Sequence, residues 1–414
     1  MNATQFCCRS CGSNDHETIL DLGLQPLANN LLRPEDLSKP EPFLPLVLVV
    51  CRSCQLIQIR DLVPPMELFS DYAYFSSYSL SWLKHAEEAA VRYAKDLKLG
   101  PDSFVVEIAS NDGYLLKHFV EWRIPCLGIE PAANVASVAQ SQGIPTLVDF
   151  FNLELARKLV KGGQRADLIL GNNVLAHVPD INSFLAGAAL LLQSAGQIIF
   201  ECPYALDFLA KTEFDTIYHE HVFYFTLTSL LPLFARHGLE LFHVERLSMH
   251  GGSLRLFIRH RADGNSSRNA SVDELLKLEM IEGVAEGLVY RDFSQRVQQL
   301  KTEMLALIND LRGQGKSIAA YGASAKGTIL LNMYGLNATV ISFVADLSIH
   351  KRGKLTPGTH IPIVAPEMLL QAQPDYALLL TWNFADEIVQ QQAEYCRRGG
   401  KFIVPIPRAR FLPQ

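Results

Sequence analysis

The sequence predicts an α/β protein of three modules. These are a small N-terminal zinc module over residues 1–70, a central Rossmann-like domain over 71–260 and a C-terminal Rossmann-like domain over 261–414. Three observations predict it. Five of the eight cysteines fall within the first 54 residues; two short β-rich runs each lead through a loop of small residues into a helix; and strand-length apolar runs recur between segments long enough for helices. At 414 residues the chain exceeds one ordinary core.

The N-terminal module is read from Cys8-Arg9-Ser10-Cys11 and Cys51-Arg52-Ser53-Cys54. Each C-x-x-C knuckle turns two thiolates toward one point, and two knuckles complete a closed tetrahedral zinc site of structural type. Cys7 is an extra thiol, but only Cys8 has the two-residue spacing to Cys11. Without a secretion signal, metal explains the crowding better than disulfides do. The longest apolar run, Phe43 to Val50, is far too short to span a membrane, and a cytoplasmic protein is expected. A net charge of -6 with 19% charged residues argues against a nucleic-acid partner.

Leu80, Leu83, Ala86, Ala90, Val91 and Ala94 recur at helical spacing, which predicts a helix over 79–97 leading into the central domain. Strands are expected at Phe104–Ile108, Cys126–Ile129, Asp167–Leu170 and Gln197–Phe200, with a helix over Tyr114–Val120. Together these make a parallel sheet within roughly 75–205. Beyond an aromatic and histidine-rich stretch, Ser253–Arg259 alternates as a strand, Arg261–Ser271 is polar loop and Asp273–Arg312 reads as one long helix. Strands at Ser317–Tyr321, Val340–Val344, Tyr376–Leu380 and Lys401–Val404 form the last sheet.

The first loop, Glu107-Ile108-Ala109-Ser110-Asn111-Asp112-Gly113, lets a ligand approach the backbone closely and offers acidic and amide groups to an amino-acid or ribose moiety. Glu130, in Gly128-Ile129-Glu130-Pro131, stands where a carboxylate can accept both ribose hydroxyls. Asp149 and Phe150 supply a polar group and an aromatic face. Asn172 and Asn173 follow the next strand, at the sheet edge where ligands lie. No G-x-G-x-x-G cradle is present, so S-adenosylmethionine is expected ahead of a dinucleotide.

Tyr218-His219-Glu220-His221 is the densest chemical segment. Extended, it would put Tyr218 and Glu220 on one face and the two histidines on the other, whereas a turn would mix them. A hydrogen-bonded core cluster is the competing explanation. A catalytic metal is disfavoured, because H-E-H lacks the four-residue histidine spacing of a zincin helix. Glu201 and Tyr204 end another strand and are candidates to line the cleft. In the C-terminal half, Ala323, Ser324 and Lys326 of Gly322-Ala323-Ser324-Ala325-Lys326-Gly327 suit a diphosphate at a helix N-terminus. Asp346 and Lys351 follow the next strand, and Arg255 of His250-Gly251-Gly252-Ser253-Leu254-Arg255 is placed to bridge the two sites.

Both knuckles, E-I-A-S-N-D-G, G-I-E-P, N-N-V-L-A-H-V, Y-H-E-H and G-A-S-A-K-G together resemble the zinc-containing sugar C-methyltransferases that act on dTDP-linked ketosugars in antibiotic deoxysugar pathways. The resemblance covers nearly the whole chain. It implies methylation from S-adenosylmethionine after deprotonation α to a ketone, with His221 as the leading base and Tyr218 and Glu220 beside it. It places His177 across the pocket and implies that Tyr74 reaches in from the lead-in segment, with Tyr72 close enough to leave that choice open. The C-terminal domain would hold nucleotide and diphosphate. Ala109 departs from the family's usual glycine. Rival readings are oxygen or nitrogen methylation, a nucleotide-sugar oxidoreductase or epimerase, for which G-x-G-x-x-G and Y-x-x-x-K are missing, and a non-catalytic zinc-stabilised binding protein.

Overall fold

The computed structural model describes residues 6–69, 76–78, 80–261 and 268–413. Strands β1 (His16–Pro26), β2 (Phe43–Cys51) and β3 (Ile57–Ile59) pair antiparallel. The two cysteine knuckles share one local geometry. The residue after the second cysteine, Gly12 or Gln55, takes a φ of 77 or 59 degrees, and its N–H donates to the carbonyl of the first cysteine. This tight turn folds both thiols of a knuckle to the same side.

A helix over Leu80–Asp96 leads into the central sheet, as the spacing predicted. There β4 (Val105–Ile108), β5 (Cys126–Ile129), β6 (Thr146–Leu147), β7 (Ala166–Asn172) and β8 (Leu192–Pro203) run parallel in the order β6-β5-β4-β7-β8. All four β4 residues are buried, as expected for a parallel strand covered on both faces. The next strand, β9 (Phe223–Tyr224), leaves this sheet and pairs with β3, becoming the fourth strand of the N-terminal sheet. Strands β10 (Leu239–Leu247) and β11 (Ser253–His260) then return to extend the central sheet antiparallel beyond β8.

The expected single helix over Asp273–Arg312 is two, Ala270–Ile281 and Leu288–Gly313. Gly283 and Gly287 between them take φ values of 69 and 74 degrees, a left-handed conformation that stops a helix. In the last sheet, β12 (Ile318–Tyr321), β13 (Val344–Ala345), β14 (Ile363–Val364), β15 (Tyr376–Leu379) and β16 (Lys401–Val404) are parallel, and β17 (Arg410–Leu412) is antiparallel. The strand expected at Val340–Val344 begins only at Val344, because Val340 closes a turn and the Val340 and Ile341 N–H groups both bond the Asn337 carbonyl. Among the described residues no helix is long and apolar enough to cross a membrane.

Candidate active site and metal centre

The Sγ atoms of Cys8, Cys11, Cys51 and Cys54 lie within 4.8 Å of one another. The Cys8–Cys54 and Cys11–Cys51 separations are 3.6 and 3.5 Å. A tetrahedron with zinc–sulfur bonds of about 2.3 Å has sulfurs roughly 3.8 Å apart, so the donor set fits the metal. The Cys8 thiol is held below its ordinary value, first by the Cys54 thiol and then, against burial, by the Cys11 backbone and the Gln58 amide. Cys7 is exposed, stands outside the cluster and is directed at the Gly12 carbonyl.

A cavity of about 630 Å³ opens at the carboxyl ends of β4, β5 and β7, within the range of small-molecule sites. Of the residues expected to hold a cofactor, Asn111, Glu130, Pro131, Phe150, Asn172 and Asn173 line it. The Glu130 carboxylate accepts the Asn111 and Ala132 N–H groups at 3.0 and 2.9 Å. Those bonds occupy two of about four acceptor sites and leave capacity for a vicinal diol. Phe150 and Phe151 supply aromatic faces, while Tyr114 lines the wall and accepts the Asn172 amide at 3.0 Å. This donor set suits an adenosine with an amino-acid tail.

The other predicted cofactor residues are not part of the cavity lining. Glu107 and Ser110 are fully buried beneath the loop, and a Cβ on Gly128 would meet Ser110 Oγ at 2.4 Å. Burial, opposed by Tyr114, holds the Glu107 carboxyl well above its ordinary value. Gly113 has a φ of 81 degrees and packs so closely that a Cβ would meet Ile144 Cδ1 at 2.2 Å. Asp112 turns to accept the Ser77 N–H at 3.1 Å, and Asn111 Oδ1 accepts that of Ser76 at 2.8 Å. Asp149 is exposed and bonds the Phe150 N–H. Ala109 lines the cavity at a φ of 56 degrees, the conformation for which glycine is the cheaper residue.

His177 also lines the cavity, and the Y-H-E-H segment closes in beside it as a turn in which the His221 N–H bonds the Tyr218 carbonyl at 2.9 Å. Tyr218 and His221 therefore come together, with Oη and Nε2 2.7 Å apart. The Thr216 carbonyl lies 2.9 Å from His221 Nδ1, which makes Nδ1 the donor and leaves the lone pair on Nε2 facing the Tyr218 hydroxyl. The His177 ring stands edge-on to His221, 4.8 Å between centroids. Burial pushes His177 down to about 4, so it is neutral near pH 7. His219 and Glu220 turn to the N-terminal module instead: Glu220 accepts the Asn29 amide at 2.7 Å, and burial raises its carboxyl to about 7. Tyr72 and Tyr74 lie outside the described residues.

Three family models match: a zinc binding domain over 8–69, a methyltransferase domain over 82–244 and a C-methyltransferase C-terminal domain over 248–407. The chain is also 38% identical over 405 residues to the C-methyltransferase NovU of Streptomyces niveus, covering 98% of this chain and 96% of that one. The chain belongs to the C-methyltransferase family. This C-methyltransferase depends on S-adenosylmethionine and carries a zinc-binding module. Solved structures resembling parts of it include the magnesium protoporphyrin IX methyltransferase of Synechocystis PCC 6803 with bound S-adenosylmethionine. That likeness has 12% identity over 44% of this chain and 79% of that one, with a TM-score of 0.34. Another is an S-adenosylmethionine-dependent methyltransferase of Clostridium acetobutylicum ATCC 824, at 10% identity over 44% and 92%, with a TM-score of 0.36.

The C-methyltransferase spends three expected substrate contacts on internal partners. Arg255 donates to Glu201 at 2.8 Å, and His85 lies 2.9 Å from the same carboxylate. Burial would raise Glu201, but the His85 and Arg255 bonds outweigh it and hold it below its usual range. Tyr204 is fully buried and donates to Glu279 at 2.9 Å. In the C-terminal sheet, Asp346 accepts the Ala323 N–H at 2.7 Å, and Lys351 donates to the Ala323 carbonyl at 2.8 Å. Ser324 caps the helix Ala325–Tyr334. Lys326 lies apart, its ammonium 5.0 Å from the centroid of Trp382, whose indole donates to Asp215 at 2.7 Å. Asp215 immediately precedes Thr216, so the C-terminal loops abut the Tyr218–His221 turn. The sequence reading missed Trp82, Tyr114 and Phe151 in the cavity wall; Tyr114 follows the first loop directly, while nothing local marks Trp82.

Proposed function

We propose that this enzyme C-methylates a dTDP-linked ketosugar by removing a proton α to the ketone. The observation that carries the reading is the Tyr218–His221 pair, fixed in one tautomer by the Thr216 carbonyl and set edge-on to neutral His177 beside the cavity. Carbon next to a ketone must lose a proton before it can become a nucleophile, and a neutral imidazole can take that proton near pH 7. His221 Nε2 receives it, while the Tyr218 hydroxyl, displaced from Nε2, donates to the enolate oxygen. When bound, S-adenosylmethionine supplies the electrophilic methyl group.

In this reading Glu130 holds the cofactor ribose, Asn111, Asn172 and Asn173 its polar tail, and Phe150 its adenine. Ala323, Ser324, Asp346 and Lys351 hold the nucleotide, with Lys326 on the diphosphate. The nucleotide part is supported by the second parallel sheet with its capped helix N-terminus and by the family's C-terminal domain, and the hexose reaches the central site across Trp382 and Asp215. Module boundaries belong at 70/71 and 260/261. The test is incubation with methyl-labelled S-adenosylmethionine and a dTDP-4-ketosugar, followed by carbon NMR. A new carbon–carbon bond α to the carbonyl supports the reading; label on oxygen or nitrogen, or none on any dTDP-ketosugar, refutes it.

A further inference from the structure

Strand β3 begins just after Cys54 of the cysteine cluster and pairs with β9, which begins just after the Tyr218–His221 turn. Val222, the residue after His221, is held from both sides: its N–H donates to the Ala176 carbonyl at 2.7 Å, and its carbonyl accepts the Ile59 N–H at 3.0 Å. Ala176 precedes His177. The backbone that sets the two histidine rings 4.8 Å apart is therefore clamped to β3 of the N-terminal module. The neighbouring β3 residue is Gln58, paired with Phe223 of β9 and fully buried.

Its side chain does not face the methyl-transfer site. Nε2 donates to Cys8 Sγ at 3.2 Å, and Oε1 accepts the Arg9 N–H at 3.2 Å and the Arg9 guanidinium at 3.0 Å. That guanidinium also bonds the Ile59 and Arg60 carbonyls at 2.6 and 2.9 Å. One buried amide thus joins a metal-ligating thiolate, the first knuckle and the strand that clamps Val222. A thiolate sulfur prefers a hydrogen-bond donor in its outer shell, and buried polar atoms of such a network have no alternative partner when one member is removed. A second brace reaches the cofactor cavity. Asn182 donates to the carbonyls of Arg9 and Ser10 at 2.7 and 3.3 Å, and it lies on the helix Ile181–Leu191, whose first turn, with Ser183 and Phe184, lines the cavity wall.

We infer that the zinc module sets the geometry of the His177–His221 pair, and that Gln58 is the positioning residue through which metal occupancy reaches it. The inference rests on the proposed role of that pair. It makes the metal site part of the machinery that aligns base and substrate, through β3 and β9, as well as a local staple.

The test uses the full-length zinc-loaded protein with Gln58→Met, which keeps the side-chain volume but removes both the donor and the acceptor of the amide. Release of zinc to a chromophoric chelator is followed alongside kcat and the KM for S-adenosylmethionine, the kinetics being measured in excess zinc. The expected result is zinc release about 10- to 100-fold faster, a kcat lowered about tenfold although the metal is replenished, and a KM for S-adenosylmethionine within about twofold. Faster release with a parental kcat overturns the coupling, as does a parental release rate. Should Gln58→Met fail to fold, Gln58→Glu, which keeps the Arg9 acceptor and replaces the donor to Cys8 by a carboxylate oxygen, carries the same readouts. Failure of the proposed chemistry shows differently: His221→Ala would then retain turnover, whereas the zinc-release rate does not depend on the reaction.

Discussion

Three carboxyls around the Tyr218–His221 turn are buried, and each departs from its solution behaviour. Burial raises Glu220 to about 7 and Glu213 to about 7, the latter opposed by Lys326, and raises Asp215 to about 6 against Lys326 and Trp382. A folded-state value above the unfolded one means that the fold favours the protonated form. The stability associated with that form is present below about pH 4 and is lost as pH rises through 6 to 7. Gln at position 220 keeps an oxygen for Asn29 and cannot ionise. Glu220→Gln should therefore match the parent near pH 4.5 and exceed it at pH 8 by at most on the order of 3 kcal/mol, read from denaturant titrations at both pH values. An equal effect at both would show that the Glu220 carboxyl is not shifted in the folded state. Two further residue-scale outcomes follow from geometry. Ala109 sits at a φ of 56 degrees, so Ala109→Gly should raise unfolding stability by about 1 kcal/mol. His221→Ala should lower kcat by about 10² to 10⁴ and leave S-adenosylmethionine affinity, measured by calorimetry, unchanged.

Among the elements, the loop after β4 is the most tightly specified. Gly113→Ala would drive a methyl to within 2.2 Å of Ile144 Cδ1 at a φ of 81 degrees, which should cost about 1–3 kcal/mol and weaken cofactor binding in a calorimetric titration. What the sequence disclosed follows the range of the forces involved. Parallel strands such as Cys126–Ile129 and Lys401–Val404 were legible to the residue, since buried apolar runs leave little choice of register. The paired knuckles were legible because their chemistry is local. The break at Gly283 and Gly287 was hidden by the helical spacing on both sides of it. The fates of Glu201, Tyr204 and Arg255 were also hidden, because their partners His85 and Glu279 lie 116 and 75 residues away from Glu201 and Tyr204. The Y-H-E-H turn sorted its side chains by position in the turn, Tyr218 with His221, which extended alternation could not anticipate.

At the scale of the molecule the three sheets are interlocked. The N-terminal sheet takes β9 from the middle of the chain, Leu32 bridges Leu355 of the C-terminal part, and Thr328 donates to the Ala28 carbonyl at 2.9 Å. The Tyr218–His221 turn stands where all three meet, braced by β3, by Ala176 and by Asp215 against Trp382. In the proposed chemistry, such a junction would place the base beside the cofactor cavity of one sheet and the substrate on the loops of another. The measurement that tests this account most directly is proton exchange in deuterated water, with S-adenosylhomocysteine in place of the methyl donor and a dTDP-4-ketosugar as substrate, followed by proton NMR. Loss of the signal α to the carbonyl with the parent enzyme, and its persistence with His221→Ala, is the predicted result. A signal that persists with the parent enzyme, or is lost equally with His221→Ala, would contradict it.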